Sequence, residues 1–199
     1  MFISLDGIDG AGKSTQIDLL KNWLTECGHT VVCFRDPGAT RLGESIREIL
    51  LHREDIPLAM TAEMLLYMAS RAQLVEERIK PALATGTTVI SDRFLLANVV
   101  YQGSAGGMNV DDLWSIGRIA TAGLTPDATI VLDLDAEIAL QRLGGVQDRL
   151  EKRGLSYFQA VRQGFLSQHA KAGKRSVVVD ASLPIDQVQN LIRDFLIAE

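Results

Sequence analysis

Residues 7–15 read Gly7-Ile8-Asp9-Gly10-Ala11-Gly12-Lys13-Ser14-Thr15, and their types and spacing suit one task, holding a chain of phosphates. Glycines let a backbone curl so that several N–H groups point inward at an anion. A helix starting at Lys13 would add the positive end of its dipole. Lys13 can reach the β- and γ-phosphates of a nucleoside triphosphate, and the Ser14 hydroxyl can ligate Mg²⁺. The expected ATP-binding set is therefore Gly7, Gly10, Ala11, Gly12, Lys13, Ser14 and Thr15. Such a loop serves GTPases, ATPases and small-molecule kinases alike. The Asn-Lys-x-Asp run that reads guanine is absent from the chain.

Two further groups could receive a second phosphate and a base. Arg35 lies in Phe34-Arg35-Asp36-Pro37-Gly38-Ala39-Thr40, and Arg93 lies in Asp92-Arg93-Phe94. Both follow strand-like runs, so both reach the sheet rim where ligands of open α/β folds bind. Paired guanidiniums there suit bidentate contacts to phosphate. Tyr67 and Arg71 are four residues apart and share one helix face, a plausible base-reading pair. The plainer readings are an ion pair for each arginine and a core position for the tyrosine.

The elements that must position these residues alternate. Short apolar runs at Phe2–Asp6, Thr30–Phe34, Thr87–Asp92, Ala128–Asp133 and Ser176–Asp180 read as strands buried on both faces. Between them, helical patterns cover Lys13–Glu26, Arg41–Leu51, Thr61–Ala84, Asp111–Ala122, Glu137–Arg142, Ser156–Ala172 and Pro184–Ala198. Gly103–Val110 and Gly144–Gln147 read as loops. This order predicts an α/β fold, with a five-stranded parallel sheet and helices on both faces. No linker or repeat divides it, so residues 1–199 are expected to form one domain.

The chain has 199 residues, 47% hydrophobic and 23% charged, which suits one globular domain and excludes disordered and fibrous classes. No apolar run approaches the ~18–20 residues of a membrane span. Met1 runs directly into Phe2-Ile3-Ser4-Leu5 without a basic stretch or a cleavage site, so a cytoplasmic protein is expected. Cys27 and Cys33 fit no disulfide or metal framework and are expected to be reduced, partly buried thiols. Net charge is -5, which argues against coating nucleic acid. It is uneven: Arg142 to Arg175 holds eight basic and two acidic residues, so that segment carries +6 and the remainder -11. The asymmetry suits either an anionic ligand or a solvated helical surface.

Together these motifs resemble the thymidylate kinase family of P-loop nucleoside monophosphate kinases, over nearly the whole chain. The resemblance rests on Asp9-Gly10-Ala11-Gly12-Lys13-Ser14, Phe34-Arg35-Asp36-Pro37-Gly38, Asp92-Arg93-Phe94 followed by Tyr101-Gln102-Gly103, and Asp148-Arg149-Leu150-Glu151. It implies phosphorylation of dTMP by ATP with Mg²⁺, a small lid over 142–155 and a homodimer. It also implies residue roles. Arg35 and Arg93 would bind the dTMP phosphate, Tyr67 would stack on thymine, and Arg71 would donate to a thymine carbonyl. Asn98 would sit near the base, Tyr101 would crowd the sugar 2′ position, and Asp9 would contact the acceptor. Asp92 would join Ser14 around Mg²⁺. Some members carry an arginine at the position of Gly10, so here the catalytic cations would be Lys13, Arg93 and the lid residues Arg142 and Arg149. Asp36, Ala39, Ala97 and Gly144 depart from the family pattern. Two alternatives remain open at this stage: a kinase for another nucleoside monophosphate or nucleoside, and a nucleotide-binding switch without turnover.

Overall fold

A computed structural model describes residues 1–53, 55–143 and 154–198. Five strands form one parallel sheet in the order β2-β3-β1-β4-β5: β1 Phe2–Gly7, β2 Val31–Arg35, β3 Thr88–Asp92, β4 Ala128–Asp133 and β5 Arg175–Asp180. The three inner strands are apolar and almost wholly buried, as expected for strands covered on both sides. The outer two are not. β2 and β5 are largely half-buried, because an edge strand has a neighbour on one side only. Cys33 on β2 is consequently exposed, as is Cys27, so the expectation of partly buried thiols is corrected.

Helices cover the sheet in two groups. α1 (Lys13–Glu26) and α9 (Ile185–Ile197) pack together and against it. α5 (Leu95–Asn98), α6 (Val110–Ala120) and α8 (Leu155–Gln168) form the second group. α2 (Arg41–Leu51) lies on α3 (Met60–Leu74), and the Thr40 hydroxyl caps α2 by accepting from Gly43 N–H. α3 continues through a π-helical turn, Val75–Ile79, into α4 (Lys80–Ala84), matching the long helix expected from the sequence. α7 (Ala136–Leu143) follows β4.

One element departs from expectation. Leu95–Gln102 shows no helical pattern in sequence, yet it forms α5 and most of a second π-helical turn, Val99–Ser104. Adjacent β-branched Val99 and Val100, followed by glycines, hide the helical period, while burial of all nine residues from Leu95 to Gly103 stabilises it. Among the described residues no helix is long and apolar enough to cross a membrane.

Candidate active site

The site gathers where strands end. Gly7 closes β1 at φ +137, and a Cβ there would lie 2.5 Å from the Leu132 carbonyl oxygen, so only glycine passes. The chain then turns into α1, whose N-cap Gly12 is left-handed and offers no side-chain cap. The first N–H groups of α1 are thus left for an anion. Strand register does the rest. Arg35 and Asp92 are partners across β2 and β3, and Arg93 N–H donates to Leu5 on β1. Arg35 and Arg93 therefore reach one rim with the glycine loop.

At that rim four groups interlock. Arg93 Nη2 lies 2.5 Å from Asp9 Oδ1 and donates to Tyr101 Oη at 3.1 Å, while Tyr101 Oη donates to Asp9 Oδ2 at 2.9 Å. Arg93 Nη1 donates to the Gly7 carbonyl. These bonds hold Arg93 at φ +68, a left-handed conformation that is strained for a side chain with a Cβ. Lys13 Nζ donates to the carbonyls of Gly7 and Ile8, 3.7 Å from Asp9. Burial works against the charge on Asp9, yet Arg93 and Lys13 outweigh it and hold the carboxyl well below the usual range. Burial, reinforced by Arg93, lowers the Lys13 ammonium to about 8.

A second knot holds Arg71. It is buried on α3, with Nε donating to Asp36 Oδ2 at 2.6 Å and Nη1 to Asn98 Oδ1 at 3.0 Å. The side chains of the pair are only 2% and 0% exposed.

A cavity of about 430 Å³ joins both knots. Its walls include Asp9, Arg35, Tyr67, Arg71, Arg93, Asn98 and Tyr101, every residue expected to meet the acceptor nucleotide. Gly10, Gly12, Lys13, Ser14, Thr15, Asp92 and Arg142 line it too. Ala11 faces a second cavity of about 240 Å³ beside the loop, walled also by Leu183, Ile185 and Val188. Arg142 touches both, its Nη1 3.5 Å from the Gly10 carbonyl oxygen. Arg149, and with it the lid between Gly144 and Arg153, lies outside the described residues.

Sequence reasoning missed several wall residues. Arg47 on α2 donates to the Pro37 carbonyl and lines the cavity. Burial first, then neighbouring Arg35, depresses its guanidinium. Nothing local in sequence marks it, because α2 meets the rim only through its packing on α3. Leu183 and Ile185 likewise reach the loop only through the fold. Asp36 departs from the family pattern, and nothing local in sequence marks it as the partner of Arg71. Gly10 now has a reason: φ is +82 and a Cβ would lie 2.6 Å from the Ala139 carbonyl oxygen, so this backbone leaves no room for an arginine.

The basic stretch resolves in part. Arg162 is bound by Asp133 and Asp135, Lys171 by Asp111 and Lys174 by Asp127. Arg175 donates to carbonyls of Leu196 and Ala198. These cations are engaged by carboxylates and carbonyls of the fold and do not line the described cavities beside the glycine loop.

A hard divalent cation takes oxygen ligands. Asp92 Oδ1 is buried without a hydrogen-bond partner, and the Ser14 hydroxyl lines the same cavity, a donor set that fits Mg²⁺ completed by phosphate oxygens and water. Among the described residues no cluster of three His, Cys, Asp or Glu could hold a metal alone.

Comparison with known proteins agrees with this geometry. The family model for thymidylate kinase matches residues 5–192. The chain belongs to the thymidylate kinase family. A thymidylate kinase of Rhodopirellula baltica is 50% identical over 190 residues, 96% of this chain and 77% of that protein. One of Caldanaerobacter subterraneus subsp. tengcongensis is 43% identical over 192 residues, 96% of this chain and 92% of that protein. The crystal structure of thymidylate kinase from Ehrlichia chaffeensis superposes with a TM-score of 0.79 at 29% identity, covering 98% of both chains. The family fold thus accounts for the sheet order and the placement of the glycine loop.

Proposed function

We propose that this protein is an ATP:dTMP phosphotransferase. One observation carries the reading: the phosphate-loop groups Lys13 and Ser14 and the base-reading pair Tyr67 and Arg71 line a single cavity. ATP lies along Gly7–Thr15, with its base towards the smaller cavity of Leu183, Ile185 and Val188. dTMP lies opposite, its phosphate between Arg35 and Arg93 and its base against Tyr67 and Arg71.

An oxygen of the dTMP phosphate attacks the γ-phosphorus in line. The new P–O bond forms as the bond to the β,γ-bridging oxygen breaks, leaving ADP and dTDP. A phosphate dianion is already nucleophilic, so the side chains act by positioning and by charge. Lys13 meets the transferring group, and Arg93, steadied by Asp9 and Tyr101, meets the acceptor phosphate. Arg142, at the loop, and Arg149 would supply the cations that a loop arginine supplies elsewhere in the family. Ser14 and Asp92 would hold Mg²⁺, which when bound neutralises charge on the β- and γ-phosphates.

ADP release measured across dTMP, dUMP, dCMP, dGMP and AMP tests the reading. The highest kcat/KM is expected with dTMP; preference for another acceptor overturns it. dUMP should follow closely, because one missing methyl costs only about 1–3 kcal/mol.

A homodimer is part of the same reading. α3 and α6 pack against each other, and each leaves an aliphatic side chain in solvent, Leu65 at 50% and Ile119 at 81% exposure. Sedimentation velocity at micromolar concentration is expected to give twice the chain mass of 21.7 kDa; a monomer contradicts it.

A further inference from the structure

Glu63 lies outside the cavity walls, yet it ends a hydrogen-bonded chain that reaches into them. On α3, Glu63, Tyr67 and Arg71 are spaced by four and share one face. Opposite, Asn98 and Gln102 are also four apart, across the junction of α5 and its π-helical turn. The two faces are stitched together. Gln102 Nε2 donates to Glu63 Oε1 at 3.0 Å, Asn98 Nδ2 to Gln102 Oε1 at 2.7 Å, and Arg71 Nη1 to Asn98 Oδ1 at 3.0 Å. All four residues are buried, none more than 3% exposed. Tyr67 lies between Glu63 and Arg71 on the first face.

The polarity of this chain is set from its ends. A guanidinium only donates, and a carboxylate accepts. The amides between them could each point either way, but Glu63 takes the Gln102 NH₂, which turns the Gln102 carbonyl to Asn98. That takes the Asn98 NH₂ and turns the Asn98 carbonyl to Arg71. A flipped Asn98 would set NH₂ against N–H inside a buried site, where an unmatched donor is costly. With Nε on Asp36 and Nη1 on Asn98, Arg71 keeps Nη2 without a partner among the described residues, on a side chain that lines the cavity.

We propose that Glu63 is a positioning residue for base selection. Through Gln102 and Asn98 it fixes the position of the Arg71 guanidinium, a group that can only donate, so that the site accepts a pyrimidine carrying a ring carbonyl and rejects one carrying an amine there. The proposal rests on the dTMP reading above. Without Glu63, Gln102 is free to turn, and Asn98 loses the fixed acceptor of its NH₂. Arg71 keeps Asp36 but loses the second acceptor that fixes its guanidinium, and an amide oxygen of the released chain becomes available to an amine.

Steady-state kinetics with dTMP, dCMP and ATP test this. Glu63→Leu is expected to raise the KM for dTMP about tenfold and to cut the dTMP:dCMP ratio of kcat/KM about tenfold. The KM for ATP and kcat with dTMP should stay within about twofold, since no residue at the reacting phosphates is touched. Glu63→Gln keeps an acceptor of the same shape and should retain the wild-type ratio within about threefold. If Glu63→Leu does not fold, Glu63→Met removes the acceptor with a side chain closer in length and should give the same split. An unchanged dTMP:dCMP ratio overturns the proposal, as does a parallel rise in the KM for ATP. A wild-type enzyme that prefers another acceptor overturns the substrate reading instead, so the two failures are distinct.

Discussion

Arg71→Ala is expected to cost about 3–5 kcal/mol of folding stability, besides weakening dTMP. The reason is what the substitution leaves behind. Asp36 is fully buried, its Oδ2 is bound by Arg71 Nε at 2.6 Å, and its Oδ1 already lacks a partner. Removing one member of such a pair strands a charge in low dielectric, and broken buried pairs cost about that much. For a chain of this length each kcal/mol moves Tm by about 2–4 °C, so a fall of roughly 10 °C should appear in a thermal melt. A shift under about 2 °C would contradict the assignment of Arg71 as a partner of Asp36. The KM for dTMP should rise about tenfold to a hundredfold, the worth of a charged hydrogen bond to the base. The KM for ATP should hold, because Lys13 and the loop keep their contacts. Asp36 stands where the family resemblance implies a glutamate. The tight bond to Arg71 shows that the shorter side chain still reaches its partner.

Lys13→Met is expected to have the opposite profile, with turnover reduced about 10²–10³-fold, the range found when one preorganised donor to developing charge is removed, and with stability retained or raised. Lys13 is buried in a site that already holds Arg93, and its ammonium is lowered to about 8. Keeping it charged works against folding. In the unfolded chain the group titrates near 10.5. Between about pH 8 and 10.5 the unfolded chain therefore holds more protons, so this group makes stability rise with pH across that window and leaves it level below pH 8. ATP binding runs the other way. Triphosphate favours the charged ammonium, so affinity is level below pH 8. Above it falls towards tenfold per pH unit, because binding must then take up a proton. ATP titrations between pH 7 and 9.5 check the slope, and Lys13→Met should abolish it. A slope that survives the substitution would assign the titration to another group.

Much of this was legible in the residues. The strand runs match the observed strands to within one residue at either end, because their Val and Ile content and length have no competing explanation. Lys13–Glu26 and Arg41–Leu51 match α1 and α2 at both ends. The loop was readable because its chemistry is local: nine consecutive residues carry the curl, the cation and the hydroxyl. Arg35, Arg93, Tyr67 and Arg71 were readable as candidates because strand ends and helix faces follow from the period.

Other features had no local signature. The helical course of Leu95–Gln102 depends on burial, which overrides the preference of paired valines. The exposure of Cys33 depends on β2 being an edge strand, which strand order decides. Arg47 and the aliphatic wall of the smaller cavity depend on which helices meet.

The sequence by itself determined the phosphate-binding chemistry, the alternation of strands and helices, and the family. Each rests on residues close in the chain, where spacing translates directly into geometry. Only the tertiary structure decided how charge is shared among those residues. Asp9 goes to Arg93 and Tyr101, Asp36 goes to Arg71, and Glu63 orients two amides from across a helix pair. Such pairings join residues 35 to 92 positions apart. Their strength comes from burial, which exists only once the sheet and its helices have closed around them.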